Sequence, residues 1–359
     1  NAPEQDADPV AAADTMGRGI VILDGITGKI IWAALNNCAA VPAASFSTSG
    51  TEGVVGVCVT NSALTSAFPA DITLLDRDGD GFTDRLYAAD VASNIWRVDL
   101  DPSDSTNIYV NPVPTTPASE IILTKFATLG GSGNNARKML YPPDVVPTEG
   151  FDLVVASTGD REHPLFNGSA TAGTAHNVQN RFYMLIDPNE GASAAGFTAI
   201  VDSDLLNQTT LTCFNSSDLT GNSVSCDSSN DKTYVFDGST SPYLGYYLNY
   251  SASEKGVNAP LTETGTVYFA TNKPDSPTPG TCSNGLGRAF AYKVDILSGE
   301  VVKSEFAGGG LPPTAISGLV LLNGDIRYFL LGGDGDSIFK PSEGKPITSG
   351  RKRMFWYYK

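Results

Sequence analysis

The sequence predicts an all-β chain, a partial β-propeller with long loop insertions. Three observations predict it. The 359 residues include 37 Gly and 22 Pro, with many Ser, Thr and Asn, and long stretches of helical periodicity are hard to find. Short apolar runs recur, each bounded by turn residues, as strands are. One unit, strand–Asp-x-x-Thr/Ser-Gly–strand, returns along the chain, and such recurrence marks a repeat architecture.

Residues 1–16 are acidic and Ala/Pro-rich and read as a linker or disordered end. The domain reads from 17 to 359, as the C-terminal part of a propeller. In residues 17–32 (GRGIVILDGITGKIIW), Ile20 to Leu23 form a buried strand and Ile30 to Trp32 its return. Asp24 and Gly28 supply the turn, Asp by bonding backbone groups ahead of it and Gly by taking positive φ. Further strands are expected at 70–75 and at 85–100 (RLYAADVASNIWRVDL), where two strands meet at residues 91–94. Others follow at 151–156, 181–191, 266–271, 288–302, 318–322 and 327–331, and the aromatic stretch 351–358 is expected to be a paired closing strand. Asp24, Asp187 and Asp295 head the recurring unit. Their uneven spacing is explained by insertions at 159–180 and 207–240. Four strands per blade give about five blades or part-blades, and since propellers usually close at about 4–8 blades the chain reads as lacking one end.

The most informative stretch is residues 76–84, DRDGDGFTD. Carboxylates alternate at Asp76, Asp78 and Asp80, a glycine follows at 81, and Asp84 closes a nine-residue loop. Crowded like charges are costly unless a cation sits among them. Calcium takes about 6–8 oxygens and fits this spacing, with Phe82 offering its carbonyl. A twelve-residue EF-hand would need its closing Glu at 87, which is Tyr87. The flanks read as strands, so the expectation is a calcium loop set in a β protein. Its metal ligands are Asp76, Asp78, Asp80, Phe82 and Asp84, with Arg77 and Arg85 partly offsetting the loop's charge.

The net charge of −16 disfavours nucleic acid and anionic membranes as partners. No run of about 20 apolar residues is present to span a bilayer. The chain opens at Asn1 without Met or a signal sequence and reads as processed or partial. Five cysteines, at 38, 58, 213, 226 and 282, lack zinc spacing. Cys38 with Cys58 and Cys213 with Cys226 are candidate disulfides, leaving Cys282 over.

A nucleophilic enzyme needs a base beside its nucleophile. The two histidines, His163 and His176, lie in one polar loop, and no Gly-x-Ser-x-Gly elbow follows a strand. The segment 334–336 (DGD) reads as a plain turn. Glycosylation triplets at Asn167, Asn207, Asn215 and Asn249 support surface loops. The run from Asp24 to Trp32, D-x-x-T-G-K-x-x-W, resembles the tryptophan-docking motif of quinoprotein dehydrogenases, in which the Trp packs between blades. One copy is complete, and it places no quinone site.

The segment 74–100, LLDRDGDGFTDRLYAADVASNIWRVDL, is similar to the calcium-loop blade of the PilY1-like proteins, the secreted tip-associated proteins of type IV pili. Residues 154–162 (VVASTGDRE), 244–274, 285–300 and 308–316 resemble further family stretches in the same order. Gly159-Asp160 departs from the family's frequent Gly-Arg, and no Arg-Gly-Asp triplet is present. The resemblance implies an exported, calcium-binding, non-enzymatic adhesin at the pilus tip, at the cell surface. Its partners would be minor pilins, the pilus tip complex and a host or abiotic surface, and it would regulate pilus assembly and retraction. Two other functions fit a propeller. One is a quinoprotein-type dehydrogenase. The other is a carbohydrate-binding module that stacks sugars on Tyr243, Tyr246 and Tyr247.

Overall fold

Apolar and polar residues alternate with period two in a strand, so a strand covered on both faces reads as a continuous apolar run. That is how the central strands of this chain are built. The computed structural model describes residues 13–48, 55–77, 79, 81–100, 121–131, 136–148, 151–161, 178–187, 197–209, 243–274, 287–306, 309–322 and 325–331. In chain order the strands are β1 (Gly19–Leu23), β2 (Ile30–Leu35), β3 (Val57–Thr60), β4 (Thr73–Leu75), β5 (Arg85–Ala89), β6 (Asn94–Asp99), β7 (Ile122–Thr128), β8 (Asp144–Pro147), β9 (Asp152–Ser157) and β10 (Arg181–Asp187). They continue as β11 (Ile200–Val201), β12 (Leu206–Asn207), β13 (Gly245–Asn249), β14 (Lys255–Gly256), β15 (Leu261–Glu263), β16 (Thr266–Lys273), β17 (Arg288–Asp295), β18 (Val301–Glu305), β19 (Ile316–Leu322) and β20 (Asp325–Leu331).

Among the described residues these form five sheets. The first is β1-β2-β3, with β2 and β3 parallel. The second is the antiparallel meander β4 to β7, and β11 adds to β7 in parallel. The third runs β8-β9-β10-β13, with β12 parallel against β13. The fourth is β16-β17-β18, with β14 and β15 both lying on β16. The fifth is the hairpin β19-β20. The first four sheets stack face to face as blades, and the architecture is all-β and propeller-like.

Side-chain alternation sorts the core into three layers between blades. Ile20, Trp32 and Ala34 meet Leu86, Ala88, Trp96 and Val98 between the first and second blades. Tyr87, Ala89, Ile95 and Phe126 meet Val154, Ala156, Tyr183 and Leu185 between the second and third. Leu153, Val155, Phe182 and Met184 meet Val267, Phe269, Tyr292 and Val294 between the third and fourth. Trp32 is fully buried in the first layer, as the docking motif requires.

The recurring turn is seen twice in the same form. Asp24 Oδ1 accepts from the amides of Ile26 and Thr27, and Asp295 Oδ1 from those of Leu297 and Ser298. Gly28 and Gly299 follow with φ of 69° and 68°, where a side chain would be strained. Asp187 departs from this pattern. It is the last residue of β10, and its carboxylate turns into the gap between blades.

The parallel edge strands had no counterpart in the sequence reading. Residues 200–207 leave the edge of the second blade as β11, turn through a short 3-10 segment at Asp202–Asp204, and join the third blade as β12. Arg137 and Arg181 both pair with Asp202 on this strap. The strand expected at 70–75 begins only at Thr73. Asn207 and Asn249 lie in β12 and β13 rather than in loops. Cys38 and Cys58 form a disulfide with Cα atoms 5.9 Å apart. Cys213, Cys226, Cys282, His163, His176, Asn167, Asn215 and the segments 188–191, 334–336 and 351–358 lie outside the described residues. Among the described residues no helix is long and apolar enough to cross a membrane.

Candidate metal loop and the ion cluster behind it

The acidic loop joins the end of β4 to the start of β5. Asp76 Oδ1 accepts from the Gly79 amide at 2.7 Å, and its Oδ2 from the Gly81 amide at 2.9 Å. Asp84 closes the loop: its carboxylate accepts from the Arg77 amide, and its own amide donates to the Leu75 carbonyl at 2.9 Å. Gly79 and Gly81 take φ of 81° and 99°, which bends the backbone back on itself. Asp78 and Asp80 lie outside the described residues, and among the described residues no three acidic, His or Cys side chains gather into a metal cage.

The described half of the loop fits a hard cation. A carboxylate has about four lone-pair sites, so each anchored oxygen retains capacity for a metal. Phe82 is 43% exposed.

The arginines next to the loop carboxylates send their guanidinium groups to Asp99 and Asp152. Arg77 sends Nε to Asp152 at 3.1 Å and Nη2 to the Thr148 carbonyl at 3.1 Å, both on the third blade. Arg85 gives Nε to Asp99 at 2.7 Å and Nη1 to Asp152 at 2.7 Å.

Those arginines enter a cluster that the sequence reading missed. Arg97 donates to Asp99 at 2.9 Å and to Asp187 at 2.6 Å. Tyr87 donates its hydroxyl to Asp187 at 2.7 Å and lies 3.3 Å from Asp152. Strand register explains the arrangement. Asp152 and Asp187 are directly opposite on β9 and β10, and like charges so placed repel. Arg85 and Asp99 are opposite on β5 and β6. When the second and third blades stack, the two aspartates receive two arginines. Arg77, Arg85 and Arg97 balance Asp99, Asp152 and Asp187, three against three, at the end of the strands where the loop emerges.

Burial pushes the Asp152 carboxyl up, with Arg85 and Arg77 opposing. Burial also works against the charge on Arg85, but Tyr87, Asp99, Asp187 and Asp152 outweigh it. The Tyr87 phenol is pushed well above its usual range by burial and then by Asp187, so it stays a donor. The signal in the sequence was faint: Arg85-x-Tyr87 and Arg97-x-Asp99 place polar groups in phase with buried positions. Nothing local says which strand faces them.

A sugar platform from the tyrosines does not form. Tyr246 is fully buried and donates to the carbonyls of Asp295 and Ile296. Tyr247 is covered by the Arg181 guanidinium at 3.9 Å, and Tyr243 is 37% exposed.

No protein-family model matches the chain, and no curated protein does. Among solved structures, the C-terminal domain of Pseudomonas aeruginosa PilY1 matches with a TM-score of 0.54 and 16% identity. The match covers 88% of this chain and 65% of that one, so the chain spans less than two thirds of that structure's length. At this identity it shows a shared fold, and it is the fold of the family that the sequence resembles. A quinohemoprotein alcohol dehydrogenase from Pseudomonas putida HK5 aligns at a TM-score of 0.36 and 12% identity, over 90% of this chain and 37% of that one. That likeness carries no argument.

Proposed function

We propose that this chain is the propeller region of a PilY1-like protein. It would be an exported, non-enzymatic adhesin at the pilus tip that regulates pilus assembly and retraction and binds calcium in residues 76–84. Its partners are minor pilins, the pilus tip complex and a host or abiotic surface. Asp76, Asp78, Asp80 and Asp84 supply carboxylate ligands and Phe82 its carbonyl. The fold likeness to the PilY1 C-terminal domain supports the family half of the reading. One observation supports the metal half: backbone amides of the loop hold the Asp76 and Asp84 carboxylates at its head and its close, with Gly79 and Gly81 turning the chain between them, and a hard divalent cation suits carboxylates at this spacing. Bound calcium fixes the entry to β5, and its loss lets the carboxylates repel, a two-state element that the ion biases.

Calorimetric titration of the chain with calcium, with thermal melts alongside, tests this. One ion is expected to bind to the parent, and the Asp80→Ala, Asp84→Ala variant is expected to lose it. At calcium about 100-fold above Kd the parent rises in stability by about 2.7 kcal/mol. A parent that binds no calcium removes the metal from the reading. A double variant that piliates and twitches normally removes the switch.

A further inference from the structure

Arg77 stands inside the acidic loop in sequence, but its side chain belongs to the neighbouring blade. Its amide donates to the Asp84 carboxylate within the loop. Its guanidinium crosses to Asp152 Oδ1 and to the Thr148 carbonyl, each at 3.1 Å. One residue is thus held at both ends, by the loop and by the turn that starts β9. Both crossing bonds are already long. A displacement of roughly half an ångström takes them past the distance at which a hydrogen bond survives.

What lies beyond Arg77 magnifies such a shift. The second oxygen of Asp152 is shared by Arg85 and Tyr87. Tyr87 passes to Asp187, and Asp187 to Arg97. The aspartates at 152 and 187 have fully buried side chains. Withdrawing one guanidinium leaves three carboxylates facing two arginines in a dry gap, where an unpaired charge is costly. The cluster spans blade two to blade three, so its disturbance loosens that contact.

We propose that Arg77 is a positioning residue: through it, cation occupancy of the loop sets how tightly the second blade grips the third. This rests on the calcium reading above. Linkage makes the coupling reciprocal, so the grip also sets the loop's affinity for the cation. Asp152, which is no ligand and lies 75 residues from Arg77, thereby contributes to calcium binding at a distance.

The test is amide hydrogen exchange of the full chain with and without calcium, with calorimetric Kd alongside. Strand β9 is followed against β17 (Arg288–Asp295), which belongs to the fourth blade. In the parent, calcium is expected to slow exchange in β9 about ten-fold relative to β17, at the modest end of site-to-site couplings. Arg77→Gln keeps the amide that caps Asp84 and removes the guanidinium. It is expected to bind calcium about ten-fold more weakly and to show no calcium-dependent slowing in β9. Arg77→Lys keeps the charge without the fork, so it is expected to fall between the two, and it serves if the Gln variant does not fold. A Gln variant with parental Kd and parental protection of β9 overturns the proposal. A parent that binds no calcium overturns the calcium reading, and the link is then judged without metal. Faster β9 exchange in Arg77→Gln, with β17 unchanged, supports the grip of Arg77, and equal exchange in both strands overturns it.

Discussion

Asp187→Asn tests the blade contact most directly. The substitution keeps the shape of the side chain and removes its charge. The carboxylate accepts from Arg97 at 2.6 Å and from Tyr87 at 2.7 Å, with Arg85 at 3.8 Å. An asparagine oxygen can still accept from Tyr87, but the amide nitrogen meets the Arg97 guanidinium donor to donor. Three arginines then face two aspartates, an excess of one positive charge in a site with almost no solvent. Breaking a buried pair by removing one partner costs about 3–5 kcal/mol. The expected result is a fall of that size, read from the urea midpoint at constant m. The double variant Arg97→Met, Asp187→Asn restores the balance at two against two. Because apolar replacement of a whole buried pair is often nearly neutral, the double variant is expected to recover at least about 2 kcal/mol of the loss. A single variant within about 1 kcal/mol of the parent would refute the reasoning. So would a double variant less stable than the single.

Two further outcomes are expected. Lys255 is fully buried, and burial pushes its ammonium down to about 8 from 10.5, against Asp160 and with Lys138. Above pH 8 the folded chain sheds this proton while the unfolded chain retains it, so stability rises with pH, by about 2 kcal/mol between pH 8 and 9.5. The buried phenols of Tyr87, Tyr246, Tyr250 and Tyr292 are held well above 10 by burial, so they subtract stability only at higher pH. Lys255→Met should flatten the rise in a denaturant series, and an unchanged slope would discard the argument. Trp32→Ala is expected to cost about 3–5 kcal/mol, since the indole fills the layer between the first two blades. A cost under about 1 kcal/mol in the same assay would mean that the ring does not join them.

The elements legible in the sequence were those whose cause is local. The turns after Asp24 and Asp295 are closed by side chain, amide and glycine within five residues, so spacing alone identified them. The hairpin β5–β6 was legible because Asp90 heads its own turn, accepting from the amides of Ala92 and Asn94 and from the Trp96 indole. Of the acidic loop, Asp76 and Asp84 accept backbone amides at its head and its close. What stayed hidden was non-local. Asp187 has the same Asp-after-strand look as Asp24, yet its partners are residues 87 and 97, on another blade. The strap at residues 200–207 is two residues of strand on each side of a turn, too short for any periodicity to announce it. Its place is set by edges already built, and by Asp202 between Arg137 and Arg181.

The three layers between blades differ in a way that bears on assembly. The first and third are lined by aliphatic and aromatic side chains, the third with one buried Glu254–Lys303 pair beside Tyr292, and apolar surfaces accept many neighbours of similar volume. The second is apolar too, but it ends in the cluster of arginines and aspartates at the strand termini. Stability does not account for that ending, since a buried ion cluster gives little over well-packed apolar groups. Pairing does. The opposed aspartates of β9 and β10 repel each other until Arg85 and Arg97 arrive, and those arginines stand on adjacent strands of one blade, two places from Tyr87 and Asp99 respectively. A blade shifted by one residue would present the opposite face of every strand and would take Asp152 and Asp187 away from their arginines. The cluster therefore fixes which blade follows the second and in what register. Because Arg77 joins the cluster from inside the acidic loop, the contact that specifies the neighbour is also the contact that the loop can reach.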